Sequence, residues 1–88
     1  MIYTVRYHHE ISNDLSSIPA NIKARIKKAI EERLMNEPIK YGDYLKRSLK
    51  GYRKMRIGDY RIIYKIEEKE IFILKIGHRK DVYKKDRK

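Results

Sequence analysis

The segment from Tyr52 to Tyr64, YRKMRIGDYRIIY, predicts a tight β-hairpin. Gly58-Asp59 is a favoured two-residue hairpin loop, and it joins two runs rich in aromatic and β-branched residues. This loop sets a register in which Arg56 lies directly opposite Arg61. Because side chains alternate along a strand, one face of the hairpin carries side chains suited to a core: Met55, Ile57, Tyr60, Ile62 and Tyr64. The other face carries Lys54, Arg56, Arg61 and Ile63.

The opposed arginines also predict a functional site. Like charges directly opposite each other destabilise a pair of strands. We therefore expect Arg56 and Arg61 to require a bound anion or acidic neighbours.

The composition limits the classes of protein that the chain can belong to. With 88 residues and no cysteine, it predicts one domain without disulfides or thiolate metal sites. The three histidines form no ligand motif, so we predict no metal and no cofactor. No apolar run is long enough to span a membrane, and the first residues lack a signal-peptide core. We therefore expect a cytoplasmic protein with no membrane association.

The charge is strongly positive. Lys and Arg total 23 against 12 Asp and Glu, which gives a net charge of +11 and favours a polyanion partner, chiefly nucleic acid. A solubility-tuned or thermophile-like surface is the alternative interpretation. The basic residues are concentrated between Lys40 and Arg61, which favours a localised binding surface.

Periodicity and turn signals predict the order β-α-α-β-β-β. The predicted elements are a strand at Ile2–Tyr7, a helix at about His9–Ser17, a second helix from Pro19 to Asn36, and strands at Tyr52–Ile57, Tyr60–Ile66 and Ile71–Ile76. Residues 38–49 are predicted to be a basic loop, and Gly77 is expected to end the last strand. The predicted fold class is α+β, with two N-terminal helices packed on a mainly antiparallel four-stranded sheet.

Two sequence blocks carry a resemblance to a known family. With this element order, LKGYRKMRIGDYRIIY (residues 49–64) and IGHRKDVY (residues 76–83) resemble the RelE/ParE superfamily of toxins from type II toxin–antitoxin pairs. The resemblance spans nearly the whole chain and implies one RelE-like toxin domain over residues 1–88. RelE-type members cleave mRNA in the ribosomal A site, whereas ParE-type members poison DNA gyrase.

The resemblance to the RelE branch implies a set of catalytic residues: Lys54, Arg56, Arg61, Arg79 and Tyr83. It also implies a metal-independent reaction in which the ribose 2′-OH attacks the adjacent phosphate. Guanidinium groups match phosphate oxygens, so we expect Arg61 and Arg56 to hold the phosphate. Lys54 can accept the 2′-OH proton only when it is neutral, a state that nearby positive charges favour.

Other roles are left open by the sequence. Arg79 and His78 are both candidates for the leaving-group acid, and strand alternation indicates that they do not reach the same phosphate. Tyr83 is expected either to stack on an mRNA base or to pack as a structural tyrosine. We predict further nucleic-acid contacts, with a solvated charged face as the alternative, at Lys46, Arg47, Lys50, Arg53 and His78.

The leading prediction is thus a ribosome-dependent mRNA endonuclease toxin. The alternatives are a ParE-type gyrase inhibitor and a non-catalytic nucleic-acid-binding module or toxin relic. The expected partners are a cognate antitoxin, the 30S A site with its mRNA, and promoter DNA through the antitoxin alone.

Overall fold

The sheet contains five strands within the part of the chain that the computed structural model describes, residues 3–45, 51–78 and 80. The strands are β1 (Thr4–Tyr7), β2 (Asp43–Tyr44), β3 (Arg53–Ile57), β4 (Tyr60–Glu67) and β5 (Glu70–His78). They lie in the order β1-β5-β4-β3-β2, with β1 parallel to β5 and every other pair antiparallel. The predicted α+β class is confirmed. The sheet has one strand more than predicted, because β2 lies within the segment expected to be a loop.

The hairpin between β3 and β4 has the predicted register. Arg56 lies opposite Arg61, and Ile57 lies opposite Tyr60. Gly58 in the loop has φ of +60°, a conformation that glycine adopts without steric cost. The predicted apolar face of this hairpin lies against the helices, where Met55, Ile62 and Tyr64 are buried.

Two helices cover that apolar face: α1 (Ile11–Ser16) and α2 (Ala20–Ala29), which continues as a π-helical turn at Ile30–Leu34. Pro19 is the residue directly before α2, and its fixed φ suits the entry into a helix. The buried stripe of α2 repeats at helical spacing and comprises Ile26, Ala29, Ile30 and Leu34. The Asn36 side chain donates a hydrogen bond to the Glu32 carbonyl at 3.1 Å, which satisfies one of the last carbonyls before Pro38.

The two halves of strand β5 have different neighbours on the side away from β4. β1 pairs only with its first half, from Glu70 to Ile73. Beyond that point Asp14 of α1 accepts a hydrogen bond from the Ile76 backbone N–H at 3.1 Å and forms an ion pair with Lys75 at 2.6 Å. Helix α1 therefore takes the place of a neighbouring strand along the second half of β5.

The prediction that Gly77 ends the last strand is wrong. β5 continues to His78, because Gly77 pairs with Arg61 and His78 pairs with Tyr60 on the antiparallel neighbour β4. The ladder hydrogen bonds to β4 hold a residue that local propensity alone would place in a turn. None of the helices that the structure describes is long and apolar enough for a transmembrane span.

Candidate functional site

Arg61 is the centre of the candidate site. Its side chain is only 7% exposed, although arginine is rarely buried without a partner. Nη1 donates a long hydrogen bond of 3.4 Å to the Tyr60 carbonyl, and Nε is buried with no hydrogen-bond partner among the described residues. The exposed Arg56 lies directly opposite on β3. Across the described residues neither guanidinium has a carboxylate partner, so this pair is suited to bind an anion.

Lys54 extends the same cationic face. It lies two residues before Arg56 on β3, so the two side chains emerge on the same side of the sheet. Lys54 is half-buried and pairs with Ile63 on β4. The structure therefore brings together three of the five predicted catalytic residues, Lys54, Arg56 and Arg61.

Asp43 is a residue of this face that the sequence analysis missed. Strand β2 places Asp43 directly opposite Lys54, and directly opposed residues have Cβ atoms about 4.5–5.5 Å apart. Asp43 is exposed and brings a carboxylate to the edge of the cationic cluster. A two-residue strand has no detectable periodicity. The available signal was that Asp43 and Asp59 are the only acidic residues between Lys40 and Arg61.

Contacts on the opposite face of the sheet hold β2 in place. The buried Tyr64 hydroxyl donates to the Pro38 carbonyl at 2.6 Å, and Arg53 Nη1 donates to the Gly42 carbonyl at 3.0 Å. Burial is the main reason that the pKa of Tyr64 is raised to about 12, since Arg53 lowers it and Asp43 raises it slightly. These two hydrogen bonds anchor the backbone on both sides of Ile39–Tyr41, and they lead the chain into β2.

Arg53 and His78 do not join the cluster around Arg61. Arg53 pairs with Tyr64, and its guanidinium lies over the Tyr44 ring at 4.1 Å from the ring centroid. His78 pairs with Tyr60 on the helix side of the sheet, with ring centroids 5.5 Å apart in an edge-to-face arrangement. Its Nδ1 accepts a hydrogen bond from the Lys80 backbone N–H at 3.3 Å.

Five predicted site residues lie outside the described part of the chain: Arg79, Tyr83, Lys46, Arg47 and Lys50. Their roles stay predictions, as does the identity of the leaving-group acid. Within residues 3–45, 51–78 and 80, no three His, Asp or Glu side chains are grouped so that they could hold a metal ion.

A family model described as the ParE toxin of the type II toxin–antitoxin system, parDE, matches residues 5–83. The chain belongs to this toxin family. Curated relatives and solved structures extend the assignment to the RelE/ParE superfamily, as the two sequence blocks predicted. The protein is therefore a toxin of a type II toxin–antitoxin system.

Relatives from Mycobacterium tuberculosis match over nearly their full lengths. Toxin RelG is 34% identical over 87 residues, covering 97% of this chain and 100% of that protein. Toxin RelE from the same organism is 30% identical over 84 residues, covering 93% of this chain and 87% of that protein.

Solved structures share the fold. The toxin–antitoxin complex RelBE2 from Mycobacterium tuberculosis contains a chain with a TM-score of 0.81 and 33% identity, covering 90% of this chain and 100% of that one. The RelB–RelE complex from Methanococcus jannaschii gives a TM-score of 0.73 at 28% identity, covering 90% of this chain and 95% of that one. The RelE-like fold predicted from the sequence is thus confirmed.

Proposed function

We propose that this toxin is a ribosome-dependent endoribonuclease that cleaves mRNA in the A site of the 30S subunit without a metal ion. The observation that carries the proposal is the buried Arg61 guanidinium, which lies opposite Arg56 and has no carboxylate partner among the described residues. A gyrase poison has no need for a phosphate-binding cluster on its sheet. Similarity to proteins named toxin RelG and toxin RelE supports the RelE branch.

The reaction needs groups that stabilise negative charge on a phosphate. The ribose 2′ oxygen forms a bond to the neighbouring phosphorus while the bond from phosphorus to the 5′ oxygen breaks. The products are a 2′,3′-cyclic phosphate and a 5′-hydroxyl end. Arg61 and Arg56 hold the non-bridging oxygens, and the planar guanidinium of each can donate two hydrogen bonds to them. Removing one such preorganised donor typically reduces kcat by about 10²–10³-fold.

Two neighbouring side chains can accept the 2′-OH proton. Lys54 can act as a base only in its neutral form, and Asp43 can do so through its carboxylate oxygens. Their cross-strand pairing puts both at the edge of the arginine pair. General acid–base catalysis typically contributes about 10²–10⁴-fold to a rate.

Three roles in the proposal rest on the family resemblance. Arg79 contacts the phosphate and is the candidate that protonates the 5′ oxygen, because His78 lies on the helix side of the sheet, away from Arg61. Tyr83 stacks on an mRNA base. Contacts to the RNA backbone come from Lys46, Arg47, Lys50 and Arg53.

The proposal is tested by mapping 5′ ends of a defined mRNA in a reconstituted translation system. We expect new ends inside codons that appear only with ribosomes and disappear with Arg61→Ala. Arg25→Ala is the matched control, because Arg25 is an exposed arginine on α2 and not on the sheet. Intact mRNA together with gyrase-linked DNA breaks in a parallel assay would contradict the proposal and favour the ParE-type activity.

A second pair of variants separates catalysis from RNA binding. Lys54→Ala and Asp43→Asn are each compared with the unchanged toxin for cleavage and for affinity to a non-cleavable RNA. Loss of cleavage with retained affinity identifies the proton acceptor. If the unchanged toxin binds the non-cleavable RNA but does not cleave mRNA, the result would favour a non-catalytic relic.

The proposed partners follow from the site and from the neighbouring structures. Several of these neighbours are complexes with RelB antitoxins, so we propose a cognate antitoxin that wraps this toxin. A net charge of +11 favours an acidic antitoxin segment, since complementary charge speeds encounter. Promoter DNA is bound through the antitoxin, and the ribosomal target places the toxin in the cytoplasm.

A further inference from the structure

Exposed hydrophobic side chains are concentrated in one short segment. Four large hydrophobic side chains are exposed in the described part of the chain, and all but Tyr7 lie between residues 39 and 44. They are Ile39, Tyr41 and Tyr44, and we name residues 39–44 the tyrosine segment. The segment runs along the β2 edge of the sheet, and Asp43 at the candidate site belongs to it.

Each tyrosine of this segment has a cation over its ring. Arg53 lies 4.1 Å from the centroid of the Tyr44 ring, while Arg33 and Lys40 lie 5.7 and 5.3 Å from that of Tyr41. The Arg53 guanidinium is also fixed by its hydrogen bond to the Gly42 carbonyl. It therefore holds one face of the Tyr44 ring, although the Tyr44 side chain is 63% exposed.

This combination matches a ligand that carries both flat rings and negative charge. Proteins grip unpaired nucleotides by stacking bases on aromatic rings while cations contact the phosphates. The alternative ligand is an acidic and apolar protein segment, which could also bind to exposed tyrosine and arginine side chains. The ring–cation stacks and the net charge of +11 favour RNA, because every base has a π-face whereas few protein side chains have one.

The position of Tyr44 connects it to the candidate site. The pair of Tyr44 and Arg53 is the next register step after the pair of Asp43 and Lys54, about 3.4 Å along the strands. The two pairs emerge on opposite faces. Because β2 is the edge strand, a single RNA strand can pass around it from one face to the other.

We propose that Tyr44, held by Arg53, is a stacking platform for an unpaired RNA base next to the phosphate site. The inference rests on the proposed function, because it takes RNA as the ligand. The stacking contact lies on the other face of the sheet edge from the phosphate site. The affinity of the toxin for RNA then depends on bases as well as on phosphates.

The test measures binding alone. Fluorescence anisotropy follows a short labelled oligouridylate with 2′-O-methyl sugars, which lack the attacking hydroxyl and so cannot be cleaved. A second probe has the same length and phosphates but no bases. Tyr44→Leu should weaken binding of the first probe roughly fivefold or more, and should leave binding of the abasic probe unchanged. Tyr44→Phe should bind both probes as the unchanged toxin does.

Tyr7→Leu is the matched control, because Tyr7 is an exposed tyrosine on β1 at the opposite edge of the sheet. Equal affinity of Tyr44→Leu and the unchanged toxin for the oligouridylate would overturn the inference, and so would an equal loss on both probes. Unchanged RNA affinity with weaker binding of a RelB-type antitoxin would overturn it and assign the segment to a protein partner. A toxin that shows base-dependent binding but never cleaves mRNA would refute the proposed function and leave this inference standing.

Discussion

Replacing Arg61 with methionine should reduce RNA cleavage by about 10²–10³-fold and make the fold more stable. The Arg61 guanidinium is buried, its Nε has no partner among the described residues, and it lies opposite the positive charge of Arg56. Methionine has an unbranched side chain that can occupy the space of the aliphatic part of Arg61, and it buries no charged group. The Arg61 charge that is suited to phosphate binding therefore destabilises the fold of the free toxin.

The magnitude follows from the two unfavourable terms that methionine removes. A buried polar group without a partner costs about 1–3 kcal/mol. A like-charge pair directly across two strands costs on the order of the 0.2–1 kcal/mol that a favourable pair contributes. We expect Arg61→Met to raise the free energy of unfolding by about 2 kcal/mol. In a domain of this size, that raises Tm by roughly 8–16 °C.

Urea unfolding followed by circular dichroism measures the change. Arg56→Met is the control, because it removes the same like-charge contact but its guanidinium is exposed, so its gain should be below about 1 kcal/mol. Inorganic phosphate should stabilise the unchanged toxin and not Arg61→Met, since a ligand that binds only the folded state raises stability. A variant that is less stable than the unchanged toxin by 1 kcal/mol or more would refute the reasoning.

Three further predictions concern the contacts that shape the sheet. Asp14→Asn should lower the free energy of unfolding by about 3 kcal/mol in urea titration, because it removes the buried carboxylate charge that pairs with Lys75. Asp59→Asn in the exposed loop should change it by less than about 0.5 kcal/mol. Gly42→Ala should lower the urea midpoint by an amount equivalent to about 1–3 kcal/mol, because a Cβ there collides with the Tyr64 hydroxyl, and an unchanged midpoint would contradict that contact. The pKa of Tyr64 is raised from 10.0 to about 12 in the folded state, so the stability that its neutral phenol contributes is present below pH 10 and is lost as the pH rises to about 12. Unfolding titrations of Tyr64→Phe should not show that part of the loss, and an identical loss in both proteins would contradict the assignment.

Local sequence patterns were enough to predict the hairpin and the cationic face. The Gly58-Asp59 loop and the two-residue period of its strands determine which side chains face each other, so the pairing of Arg56 with Arg61 could be predicted without tertiary information. Alternation also predicted that His78 and Arg79 do not reach the same phosphate, and the structure places His78 on the helix side of the sheet.

Features that depend on distant contacts could not be predicted in this way. Strand β2 has two residues, and it is held by hydrogen bonds from Tyr64 and Arg53 to carbonyls of a segment that is remote in sequence. The position of Asp43 follows from β2 and was missed with it. Pairing with β4 likewise extends β5 through Gly77, where local propensity favours a break.

The parallel pairing of β1 with β5 has a consequence for the time at which the toxin acquires its fold during synthesis. Among the strands that the structure describes, β1 pairs with β5 alone, and an ion pair between Arg6 and Glu70, 64 positions apart, joins the two strands. In the described sheet, β1 therefore has no partner until β5 has been made. The β3–β4 hairpin closes a short loop and can form early, whereas β1 must wait for a contact of long sequence separation. The β3–β4 hairpin with Arg56 and Arg61 can therefore form before the complete sheet exists. The complete sheet can form only after β5 has been synthesised.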